Sequence, residues 1–157
     1  MNLFKTTAPG VAGMQRAGVA GAAVEKRANI FEMTQAAEDA VLRPRETGAF
    51  SHDLRAALAA RIARLSGDDA LAQRYLIGAG EEAALADLST REEDVAPMLG
   101  FVDKVASRAR DITNEDIVGL WSGGMADADI VRLCELIAFV AYQVRVVAGL
   151  RLMKAGA

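Results

Sequence analysis

The two residue types that chemistry would use first, cysteine and histidine, occur once each, as Cys134 and His52. One cysteine forms neither an internal disulfide nor a two-cysteine redox motif. One histidine rules out a multi-histidine metal site, so no metal and no cofactor are expected. Cys134 lies in an apolar stretch, where a lone thiol behaves as a small hydrophobe and burial raises its pKa. His52 follows Ser51 at a helix start, an exposed place for a histidine. Two arginines remain. At about 100° per residue, Arg145 shares a stripe with Ile130, Cys134, Ile137, Ala138, Ala141 and Ala148. Arg61 follows Leu54 by seven residues and Leu58 by three. An arginine on an apolar face needs a carboxylate, carbonyls or an anionic ligand. Both guanidinium groups are therefore expected to be buried and held, Arg145 by a residue such as Glu135, Glu38 or Asp53. The functional alternative for Arg145 is an anion-holding cavity beside its alanines, with Tyr75 or Tyr142 near the wall.

The elements that would position these residues read as helices throughout. Hydrophobic residues make up 52% of the 157 and aromatics only 5%, the apolar share being mostly Ala, Leu and Val. Ala and Leu favour helix, and no strand alternation appears. The formal net charge of −3 comes with no basic stripe, which argues against nucleic acid. The longest unbroken apolar run, Leu136 to Tyr142, is short of the roughly 20 residues a membrane span needs. Arg16 and the glycines at 10, 13, 18 and 21 interrupt any signal-like core. A cytoplasmic protein is the expectation.

Residues 1–28 are Gly/Ala-rich and read as a flexible arm that packs on the body or on a neighbouring subunit. Residues 29–157 read as one helical domain of about six to seven helices. The first runs from Asn29 to Leu42 and stops before Pro44. Ser51 caps the second, His52 to Leu65. The third runs from Asp69 to Ile77, and a short piece covers Glu82 to Asp87. Thr90 with Glu93 offers a capping box that would start a helix there, and Pro97 either kinks that helix or places its start later, near Ala96; this helix ends near Ala109. Thr113 with Asp116 caps the next, which ends near Gly123. Asp127 caps the last and longest, Ala128 to Met153. Its middle is apolar on all sides, as in a helix buried in a bundle or between subunits.

The stretch from Ser51 to Gly67 (SHDLRAALAARIARLSG) resembles the core helix of the carboxymuconolactone decarboxylase / alkylhydroperoxidase D-like family. FVDKV from Phe101, ITNEDIVGL from Ile112, MADADIV from Met125 and AFVAYQVR from Ala138 resemble its C-terminal half. The resemblance covers about residues 29 to 152 and implies an all-α, alkylhydroperoxidase D-like helical bundle. It also implies an altered site. With Gly67 on the family's glycine, Asp68 and Leu71 stand where the two redox cysteines would be. Tyr75 takes the histidine position and Ala56 the glutamate position. Peroxidase chemistry needs an attacking thiolate and a resolving thiol, and neither Asp nor Leu supplies one. The chain looks like a cysteine-less branch.

Three functions follow as expectations. The first is a non-redox, oligomeric binding or accessory protein, a dimer or trimer-based assembly, with a cysteine-containing relative as a possible partner. The second is a cofactor-free decarboxylase or isomerase acting on a small anionic lactone, with Arg61, Arg145, Tyr75 and His52 as candidates for cationic anchor and proton donor. The long connection from Gly80 to Met125 resembles the peroxidase-related branch and not the compact decarboxylase. The third is a peroxidase working through Cys134.

Overall fold

The computed structural model describes residues 2–156, and every regular element among them is helical. α1 (Thr7–Val11) and α2 (Gly18–Lys26) precede α3 (Ala28–Leu42), α4 (His52–Leu65) and α5 (Asp69–Leu76). α6 (Ala96–Arg108), α7 (Asn114–Ser122) and α8 (Asp127–Ala155) follow, with 3-10 turns at Leu3–Lys5, Gly80–Ala86 and Ala109–Asp111.

The local chemistry explains most boundaries. Ser51 accepts the Leu54 amide at 3.1 Å, capping α4. Thr113 and Asp116 form a full capping box at α7. Pro97 sits in the first turn of α6, where its missing N–H costs nothing. Thr90 caps no helix; its hydroxyl donates to the Ala84 carbonyl at 2.7 Å and ties the 3-10 turn to the loop that follows. Asp127 lies in the first turn of α8 and not at its cap. Its carboxylate accepts the Trp121 indole N–H at 2.6 Å.

α4 is the centre of the molecule. From Arg55 to Ala63 every residue is buried. The short alanines let α5, α6, α8 and the 3-10 turn at 80–86 come close on all sides. The main core joins Leu58, Ile62, Leu71, Val102, Leu133, Leu136 and Val140.

The expected arm, residues 1–28, holds two further helices. α1 and α2 pack against α8 and α3, and Ala8, Ala12, Met14, Ala20 and Val24 form a second apolar cluster with Val147 and Leu150. These two helices account for the excess over the six to seven expected. α8 is the one helix among the described residues that is long and apolar enough to cross a membrane by length and composition. It runs through both clusters, burying Ile130, Leu133, Leu136, Ile137, Val140, Val147 and Leu150.

Candidate functional site

The elbow between α4 and α5 carries the positions that the sequence singles out. Gly67 turns the chain at φ +74°, a left-handed conformation that favours glycine. Asp68 then caps α5, accepting the Leu71 amide at 3.0 Å. The same carboxylate takes both ends of the Arg151 guanidinium, at 2.8 and 3.0 Å, across from α8. Leu71 is fully buried, and Ala56 and Tyr75 are buried beside it in the main core. Where the resemblance places a redox quartet, the chain has a helix cap, an ion pair and apolar packing.

A second polar group sits deeper, where α1, α3 and α8 meet. Glu38 is 3% exposed. Its Oε1 accepts the Thr7 hydroxyl at 2.6 Å and the Gln35 amide at 3.2 Å, and its Oε2 accepts the Gln143 amide at 2.7 Å. Burial raises the Glu38 pKa above the ordinary 4.5 against the pull of the Thr7 and Gln35 donors and of Arg74 and Arg43. Tyr75 is pushed up as well, first by burial and then by the Glu38 charge. The Tyr75 hydroxyl and the Gln143 Oε1 are buried without a partner among the described residues. Thr7 also donates its backbone amide to Gln35 at 2.9 Å, so α1 is pinned to α3 at the buried acid. Sequence reasoning noticed Glu38 only as a partner for Arg145. Gln143, one position beyond the apolar run, carried the signal that was missed: a polar side chain on the buried stripe of α8.

Arg61 is 1% exposed. It makes a two-pronged pair with Asp103 of α6, at 2.6 and 2.7 Å, and donates to the Leu85 and Asp87 carbonyls at 3.0 and 2.6 Å. Four of its five N–H donors are engaged by protein, so it braces α4 against α6 and the 3-10 turn. A third arginine, Arg55, is equally buried and was not singled out by sequence. It donates to three carbonyls, of Phe50, Val41 and Thr47, at 2.8–3.0 Å, and so closes the loop between α3 and α4.

Arg145 corrects the expectation of burial. It is exposed, and its one hydrogen bond among the described residues goes to the Ala141 carbonyl one turn back, at 2.7 Å. Its stripe straddles the edge of the core: Ile130 and Ile137 are buried, Cys134 and Ala141 half-buried, Ala138 and Ala148 exposed. Alanine is at ease on either side of that edge, so the alanines beside Arg145 did not mark a buried face. A groove of about 550 Å³ does lie there, between α8 and the end of α6. It is lined by Arg108, Arg110 and Arg145, by Asp111, which lies 4.0 Å from Arg108, and by Ile137, Ala138, Ala141 and Cys134. Neither Tyr75 nor Tyr142 is on its wall.

His52 is exposed, with Nε2 2.9 Å from the Pro44 carbonyl. Burial and the adjacent Glu135 push the half-buried Cys134 thiol up, the wrong direction for a reactive thiolate. The fold therefore does not gather Arg61, Tyr75, His52 and Arg145 into one site. Among the described residues no group of three Cys, His, Asp or Glu side chains is placed to hold a metal ion.

No protein-family model matches this sequence, and no curated protein and no solved structure is similar enough to give a match. What the residues themselves define is an all-α protein with four internal polar braces, at Arg55, Arg61, Asp68 and Glu38.

Proposed function

We propose that this chain is a non-redox, cysteine-less member of the carboxymuconolactone decarboxylase / alkylhydroperoxidase D-like family, acting as an oligomeric binding or accessory protein in the cytoplasm. The observation that carries this reading is the α4–α5 elbow. Asp68 is committed to the Leu71 amide and to Arg151, while Leu71 and Ala56 belong to the core. Such an elbow keeps the helix–turn–helix geometry and gives up the electron chemistry. Cys134 has no second cysteine and an elevated pKa.

The test is hydroperoxide reduction with a dithiol reductant. No turnover above the protein-free rate is expected, and the Cys134→Ser variant should behave as the parent does. Turnover that disappears in Cys134→Ser would overturn the proposal. A cysteine-containing relative is the natural heteromeric partner under this reading.

A second reading is a cofactor-free enzyme acting on a small anionic lactone. One observation favours it: the groove between α6 and α8, lined by apolar side chains and by three arginines of which Arg108 faces Asp111, leaving Arg110 and Arg145 for an organic anion. Carbon dioxide release or solvent-proton exchange across a lactone panel would establish it.

A further inference from the structure

We propose that the exposed face of α8 pairs antiparallel with the same face of a second copy of this chain, about a two-fold axis level with Val140. The proposal deepens the oligomeric part of the function proposed above and rests on it.

Six positions of α8 lie open along one line: Val131, Glu135, Ala138, Tyr142, Arg145 and Gly149. Their spacing alternates four and three, the seam of a helix that packs against another helix. The line spans about 27 Å at 1.5 Å per residue. Such a face is apolar or small at four of its six places and carries one acid and one base.

The order of these residues is self-complementary. Ala138 and Tyr142 lie two residues either side of Val140, Glu135 and Arg145 five, and Val131 and Gly149 nine. An antiparallel copy therefore sets Tyr142 of each chain against Ala138 of the other, a large side chain against a small one. Val131 meets Gly149, again large against small. Glu135 of each chain meets Arg145 of the other, so the axis creates two identical ion pairs. A parallel copy would instead stack Glu135 on Glu135 and Arg145 on Arg145, with like charges opposed. Two-fold assembly through one patch requires this kind of palindromic face.

Within one chain both charges are unspent. Among the described residues Glu135 has no ion pair, and Arg145 reaches only the Ala141 carbonyl. Neighbouring charges on the same helix are already engaged, Arg132 with Asp129 and Arg151 with Asp68. Glu135 and Arg145 are the charges on the open line, and the two-fold would join them. Charges at such a seam fix register more than they add affinity.

The experiment combines mass measurement with charge reversal and cross-linking. Light scattering at micromolar concentration should give a dimer or a multiple of one. Glu135→Arg and Arg145→Glu should each weaken the dimer at least tenfold. The double reversal should restore it, with circular dichroism confirming an intact fold in each case. In a Cys134→Ser background, Ala138→Cys with Tyr142→Cys should give interchain disulfides on oxidation. Ala138→Cys alone should not, because an antiparallel pair holds the two copies of 138 about four residues out of level. A monomeric parent, whether free in solution or recovered on lipid vesicles or another protein, overturns both this pairing and the oligomeric reading. An oligomer indifferent to both reversals, or one cross-linked through Ala138→Cys alone, overturns the pairing and leaves the oligomeric reading standing.

Discussion

At the scale of residues, the buried polar groups divide by how loudly their surroundings speak. Arg61 is legible because Leu54, Leu58 and Ile62 crowd its stripe, and large aliphatics belong inside. Arg145 has mainly alanines beside it, which are silent about burial, and it lies outside. Asp103, which holds Arg61, has a side chain 32% exposed, whereas the arginine has almost no exposure. Asp103→Ala should therefore cost about 3 kcal/mol by urea unfolding, because it leaves a buried cation facing only two carbonyls. A loss under about 1 kcal/mol would mean that the carbonyls suffice. Glu38 makes a different prediction. Burial holds its folded pKa above the usual 4.5, so the unfolded chain releases this proton first as pH rises. The group's stabilising contribution is complete below the unfolded pKa and is lost as pH climbs through the folded one. Stability curves for the parent and Glu38→Gln, from about pH 4 to about pH 8, should thus diverge, the parent losing ground as pH rises. Parallel curves would mean an unshifted carboxyl.

At the scale of elements, what the chain announces locally came through and what it settles at a distance did not. α4 and α7 start at side-chain caps, α6 starts around Pro97 and α3 stops short of Pro44, each for a reason contained in a few residues. α1 and α2 have no such reasons. They are five and nine residues long, and no side-chain hydrogen bond caps either of them. Short helices of this kind are stable only through the surface they pack on, which here is α8, far away in sequence. Packing can be read from Gly21, where an added Cβ would collide with the Gln15 and Arg16 carbonyls. The α4–α5 elbow offers the clearest test of element chemistry. Asp68→Asn keeps an acceptor for the Leu71 amide and gives up the charge toward Arg151; Asp68→Ala gives up both. The alanine variant should be less stable than the asparagine variant by about 1 kcal/mol, the usual worth of a helix cap. Equal melting temperatures would remove the cap from the account of the elbow.

At the scale of the whole molecule, the all-helical class was written in composition and periodicity. The candidate site was legible only in part. The resemblance drew attention to Ala56, Asp68, Leu71 and Tyr75, and Asp68 is indeed a junction, yet its partner Arg151 is 83 residues further on. No local pattern links the two. The same holds for Thr7, Glu38 and Gln143, which come from three separate helices to one buried point. Their meeting depends on how α1, α3 and α8 cross, and crossing is decided by packing surfaces and not by spacing along any one helix.

That crossing imposes an order of events on synthesis. Residues 2–26 are made well before Val147 and Leu150, which belong to the apolar surface that receives them. Until α8 exists, α1 leans on α3, α5 and the 3-10 turn at Leu3–Lys5, and α2 on α3. These early helices must wait for α8, so their docking closes a very long loop. During that wait Glu38 has no Gln143 to bond. α1 and α2, though made long before α8, therefore become fully native only after it, and the docking of Thr7 completes the hydrogen bonding around the buried acid.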